Sequence, residues 1–143
     1  MPTLIKASAD GWGIASESAE IQWQSPQDWH SGDALLLTAD LEPVAEFAQA
    51  DRIAIEFPAF NDGRALSLAV LLRTRLGYTG ELRAVGAVHE DILHYMVRCG
   101  FDAVEIPDDR DVQIALDLIS PYSNVYQGSV DNPEPSFRRM QRG

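Results

Sequence analysis

Two groups of side chains in this sequence could do chemistry, and each is built around an arginine. Asn61-Asp62-Gly63-Arg64, with Ser67 one turn further on, has the makings of a small-anion site at a helix start. The first backbone N–H groups of a helix lack partners within it, the dipole there is positive, and the Arg64 guanidinium offers a planar fork of donors to a carboxylate or oxyanion. The same residues also serve plain capping, because Asp62 would compete with an anion for those N–H groups. The second group is spread along the chain: Glu56 in IAIEF, Arg83 in ELRAV and Glu105 in AVEI, one charge in each otherwise apolar stretch. Strand alternation turns such side chains to one face if the registers match, and isolated charges on covered strands either pair or line a cleft. A structural ion pair is one outcome. The other is a carboxylate poised by Arg83 for acid–base work, with Asp62, Arg83 and Glu105 as catalytic candidates and Arg83 also available to a ligand.

His89, near a helix start, is a further candidate acid or base and equally a capping residue. Its spacing from His94 puts the two on different sides of one helix, so no metal site is expected. Cys99 shares a helical side with Val88, Ile92 and Met96 at the C-terminal end, where the dipole disfavours a thiolate, and is assigned to the core. As the only cysteine, it leaves no internal disulfide, no CxxC pair and no iron–sulfur cluster held by this chain alone. The fingerprints GxGxxG after a strand, GxxxxGK[ST], HExxH and GxSxG are absent, and no cofactor is expected.

The elements that must position these groups alternate. DALLLT (33–38), RIAIEF (52–57), ELRAV (81–85) and DAVEI (102–106) are apolar runs of the kind covered strands show. Between them the pattern predicts helices: from an Asp40 cap with Pro43 in the first turn to about Gln49, from Gly63 to Leu76 closed by Gly77, and from Val88 to Cys99 stopped by Gly100. A last helix runs from Pro107-Asp108 to about Ile119, and Ser123–Gln127 is a possible edge strand. Ala65, Leu68, Ala69, Leu72 and Leu76 can face the sheet while Leu66 and Val70 project away, which asks for a cover, either the N-terminal arm or a second subunit in a homodimer. Strand and helix in alternation give a single α/β domain over 1–143 with a mostly parallel sheet, an open doubly wound arrangement being preferred over part of a β/α barrel. Residues 1–32, with Trp12, Trp23 and Trp29, form a short β arm; 33–127 are the α/β core; 128–143 are a mobile tail.

Composition narrows the classes. The chain has 143 residues, 45% of them hydrophobic, enough for one core without disulfides. Its net charge of −11 repels phosphate backbones and anionic lipid, so nucleic acid is not an expected partner. No apolar run is long enough for a membrane span and the opening lacks a signal-peptide pattern, which predicts a cytoplasmic protein.

From Phe57 to Ile106 the sequence resembles a bacterial family of unknown function, number 934, through FPxFxDGR, LGYxGELRAxG and RCGFDAxE, with Tyr126-Gln127 beyond. The family's recurring polar positions correspond here to Asp62, Arg64, Ser67, Arg73, Arg83, Asp91, Arg98 and Glu105. Gly86-Ala87 stands where the family commonly has Gly-Asp. Members are encoded near sulfite reductase genes and carry the label of an oxidoreductase involved in sulfite reduction, so the resemblance implies a place beside that reaction. Six-electron reduction of sulfite runs through sirohaem and an iron–sulfur cluster, which one cysteine cannot hold, so this chain is not expected to be the reductase. Three functions stay open: an accessory protein binding a small anion at the strand C-terminal rim with sulfite reductase as a partner, a small enzyme with an Arg/carboxylate site, and an interaction scaffold.

Overall fold

The apolar runs become adjacent strands. In the computed structural model, which describes residues 2–9, 11–17, 21–58 and 63–119, they form β3 (Ala34–Thr38), β4 (Arg52–Phe57), β5 (Glu81–Gly86) and β6 (Ala103–Ile106). An N-terminal hairpin of β1 (Thr3–Ser8) and β2 (Gly11–Ile14) completes a six-stranded sheet of order β2-β1-β6-β5-β4-β3. β3 to β6 run parallel, and β1 pairs antiparallel with both β6 and β2. The mostly parallel sheet with a short N-terminal β arm is thus the expected one.

Its winding is simpler than double. The order β3, β4, β5, β6 advances one strand at a time, so right-handed crossovers all fall on the same face. Helix α1 (Gly63–Thr74) accordingly packs against α2 (Leu93–Cys99). The sheet is open, as expected, but its parallel strands never reverse direction of addition, and the switch-point crevice of a doubly wound sheet has no place to form.

Alternation does the rest. Leu35, Leu37, Ile53, Ile55, Phe57, Leu82, Ala84 and Val104 share one core with Ala65, Leu68, Ala69 and Leu72 of α1, Leu93 and Met96 of α2, and Ala115 and Ile119 of a last helix over 112–119, α3. Leu66 is partly buried and Val70 is 38% exposed, so the second stripe of α1 is half covered.

Three expected helices shrink. After Asp40 the chain makes only a 3-10 turn at Ala45–Gln49, without a side-chain cap bond. The Val88 segment enters through extended backbone at His89 (φ −130°, ψ 143°) and a 3-10 turn at Glu90–Ile92. α3 starts at 112, after Asp111 Oδ1 accepts from the N–H groups of Gln113 and Ile114. In each case side-chain pattern set the period, while capping and loop closure set the boundary. The expected strand at Ser123–Gln127 and the tail from 128 lie outside the described residues.

At the N-terminal ends of the strands one arginine ties two loops together. Arg73, near the end of α1, donates from Nε and Nη2 to Gly100 O (3.0 and 2.7 Å), and from Nη1 to Tyr78 O and Gly80 O (3.0 and 2.8 Å). Gly100 holds φ 112°, and a Cβ there would lie 2.6 Å from Arg73 Cγ, so the glycine is fixed by both backbone and packing. Asp102 accepts from Leu82 N (2.8 Å) beside this network; burial pushes its carboxyl up, against the pull of Arg73. Replacing Arg73 by Met keeps the stem but strands these carbonyls. Denaturant unfolding should show a loss of about 2–4 kcal/mol, with Arg73→Lys recovering less than half because one ammonium cannot serve all three; equal stability of Arg73→Met and wild type would reject the role.

Candidate functional site

The strand C-terminal rim carries open space next to charged groups. One depression, about 340 Å³, is lined by Thr38, Ala39 and Asp40 after β3, Glu56 and Pro58 at the end of β4, and Arg64 in the first turn of α1. The Thr38 hydroxyl donates to Asp40 (2.7 Å), and this bond, with the backbone and the nearby Arg64 guanidinium, holds the Asp40 carboxyl below its usual range. These interactions favour the ionised form of Asp40. Ser67 is exposed one turn along α1 from Arg64, and Gly63 has open space where a Cβ would stand. Asn61 and Asp62, the other expected members, lie outside the described residues.

A second depression, about 280 Å³, lies where β5 and β6 end, lined by Gly86, Ala87, Val88, His89, Pro107, Asp109 and Arg110. Gly86 has φ 88° and would put a Cβ 2.7 Å from Phe57 O, so the turn out of β5 needs glycine. His89 Nδ1 accepts from Asp91 N (3.0 Å), which caps the 3-10 turn and leaves the proton of the neutral ring on Nε2. Arg110 approaches Glu90 at 3.5 Å. Asp91, Arg98 and His94 do not join either depression, and His94 stacks on Tyr95 at 4.1 Å.

The strand charges do share a face, the one turned away from the helices. Register pairs Ala54 with Arg83 and Arg83 with Ala103, which sets Glu56, Arg83 and Glu105 on the same side. Arg83 meets Glu105 at 3.1 Å, whereas Glu56 stays exposed at the rim. Sequence reasoning missed the other members. Glu81 accepts from Arg83 Nε (2.8 Å), and Glu17 accepts from Nη1 (3.2 Å) and Nη2. Arg52 donates to Glu17 (3.0 Å), Lys6 pairs with Glu81 (2.9 Å), and the Trp23 ring covers Arg83 at 5.4 Å. All three guanidinium nitrogens are engaged, and Arg83 is 1% exposed. Burial alone would lower its pKa, but Glu17, Glu81 and Glu105 outweigh that and keep it charged.

Arg83 is thus placed in an ion-pair network. It is neither a rim residue nor a neighbour of Arg64's depression, and its charge is satisfied by carboxylates of the same chain. The ion-pair alternative is the one the geometry realises. Lys6 and Arg52 alternate with apolar residues as Arg83 does, and Glu81 stands two residues before Arg83 on the same strand face, signals that strand periodicity could have supplied. Glu17 had no such signal, because it belongs to no strand and reaches Arg83 from far along the chain.

Glu17 gives a signed test. The Arg83 hydrogen bond holds its carboxyl below the ordinary value of 4.5, so its stabilising effect is full above that pH and is lost as pH falls through the lowered folded-state value. The unfolding free energy of wild type minus that of Glu17→Gln should stay level from about pH 8 to 6 and shrink below about pH 4.5. A difference that grows on acidification would contradict the assignment.

Among the described residues no helix is long and apolar enough to cross a membrane. Neither a curated protein nor a solved structure matches the chain. A family model described as bacterial protein of unknown function (DUF934) matches residues 35–137, from inside β3 to beyond α3. Most of the sequence, including every parallel strand, therefore lies within that match, and the chain belongs to this family.

Proposed function

We propose that the protein is a cytoplasmic accessory protein that binds a small anion at the strand C-terminal rim and acts beside sulfite reduction without carrying its electrons. The observation supporting this reading is where open space and a cation coincide: Arg64 lines the larger of the two rim depressions and stands in the first turn of α1, where backbone N–H groups and the positive end of the helix dipole also favour an anion. The other candidate cation, Arg83, is committed to carboxylates beneath the N-terminal arm. Asp40 and Glu56 restrict the ligand. They repel a multiply charged anion and favour a singly charged, protonated oxyanion, which donates to a carboxylate while accepting from Arg64. Hydrogen sulfite has that chemistry. Among the described residues the shifted groups other than Asp40, namely Glu17, Arg73, Tyr78, Arg83, Cys99 and Asp102, line neither rim depression, which supports binding over acid–base catalysis there.

A contact with another protein is the second reading. Val70 on α1, Tyr95 on α2 and Ile114 on α3 are 38%, 48% and 47% exposed on the helical layer, and a second copy or sulfite reductase would be the occupant to test there.

Thermal unfolding with sulfite, sulfate or phosphate separates the two. A native-state ligand at about 100 times its Kd should raise the midpoint by on the order of 5–10 °C, and Arg64→Ala should abolish the rise. A rise unaffected by Arg64→Ala would place the anion elsewhere; no rise with any anion, together with a dimer or a complex with sulfite reductase in sedimentation, would replace this reading by the second.

A further inference from the structure

The face of the sheet away from the helices carries a cation seat with an unusual occupant. Lys6 on β1, Arg52 on β4 and Arg83 on β5 converge on the carboxylate of Glu17, which lies 4.0 Å from Lys6 Nζ and 3.0 Å from Arg52 Nη1 and accepts from two nitrogens of Arg83. A carboxylate held by a bidentate guanidinium, with a second guanidinium and an ammonium beside it, is how proteins hold a bound anion. Trp23 closes over Arg83 from the far side.

The three carboxylates in this cluster are not equivalent. Glu81 and Glu105 are strand residues, fixed by pairing with neighbours on β4 and on β1. Glu17 comes from the arm that leaves β2. Ala15 N donates to Leu4 O (2.9 Å) at one end of the arm, and Gln24 exchanges two bonds with β3 at the other, donating to Ala34 O (3.0 Å) and accepting from Leu36 N (2.8 Å). Between those ties, Glu17 and Trp23 meet Arg83 through their side chains. Without Glu17 the seat holds Lys6, Arg52 and Arg83 against Glu81, Glu105 and the exposed Asp51 beside Arg52, and the two Arg83 nitrogens that now meet Glu17 each lose one carboxylate contact.

We propose that Lys6, Arg52 and Arg83 form an anion-binding seat, that the Glu17 carboxylate is its built-in occupant, and that a small external oxyanion competes with the arm for it. The seat differs from the Arg64 depression and does not depend on the reading given to that rim. It makes Glu17 an internal ligand, so that filling the seat from solution displaces its carboxylate.

Glu17→Ala empties the seat. Formate, sulfate and phosphate, each titrated calorimetrically into the folded variant at constant ionic strength, separate planar carboxylates from tetrahedral oxyanions. At least one should bind about tenfold or more tighter than to wild type, since in wild type the seat is open only in the fraction of molecules whose Glu17 carboxylate has left it. Adding Arg64→Ala should leave this binding unchanged, whereas adding Arg52→Ala should weaken it. Should Glu17→Ala require an anion to fold, recovery of its circular dichroism with one of the three supports the seat. Should it stay unfolded in all of them, Glu17→Gln takes its place and must show the same gain in affinity over wild type. Affinity no better than wild type in the folded variant, or a gain lost with Arg64→Ala and kept with Arg52→Ala, overturns the proposal.

Discussion

A guanidinium taken out of water costs several kcal/mol unless its donors are met, and the half of this molecule away from the helices is organised around meeting that cost for Arg83. The sheet is wound one way, so its crossover helices share one face, and among the described residues no helix covers the other. The N-terminal residues supply the cover instead. β1 and β2 extend the sheet beyond β6, and the chain then crosses to reach β3 at Gln24, bringing Glu17 and Trp23 onto Arg83. Replacing the cluster by apolar residues of equal volume would give a simpler cover, as buried ion networks add little net stability. What the network gives is position: it holds Glu17 against Lys6, Arg52 and Arg83 together.

The two ends of the parallel strands divide the work. At the N-terminal ends, Arg73, Tyr78, Gly80, Gly100 and Asp102 close the loops through charge-assisted bonds to backbone. Burial pushes the Tyr78 hydroxyl well up, and that hydroxyl donates to Glu81 O (3.1 Å), as suits a structural phenol. At the C-terminal ends both depressions open among charged side chains. The segments LGYTGELRAVG and RCGFDAVE thus encode loop closure and the sheet-face cluster, while the rim draws on Asp40, Glu56, Arg64, His89 and Arg110. Arginines that recur within a sequence pattern have different surroundings here: Arg73 and Arg83 are held by carbonyls and carboxylates of the chain, whereas Arg64 borders the larger rim depression.

Much of the fold was legible in sequence because it rests on local signals. Period-two and period-3.6 hydrophobicity located β3 to β6 and α1, and Gly100 after Cys99 marked a helix end that its φ of 112° confirms. The shared face of Glu56, Arg83 and Glu105 followed from alternation and a parallel register. Helix starts were less legible, since a proline and a cap residue permit a helix without requiring one, and loop closure kept residues 41–44 out of it. Winding was not legible at all, because double and single winding place the same alternating elements in sequence and differ only in which edge receives the next strand.

What the sequence by itself determined is therefore the set of elements, the sheet's mostly parallel character, and the need of Arg83 for partners, all consequences of side-chain polarity at fixed backbone periods. Only the tertiary structure decided that the crossovers share one face, that Arg64 and Arg83 belong to separate places, and that Glu17 is the carboxylate in the Arg83 fork. Those outcomes depend on contacts between residues far apart in the chain. Such contacts are chosen by competition among all the charges and surfaces that folding brings together, and no local pattern records who wins.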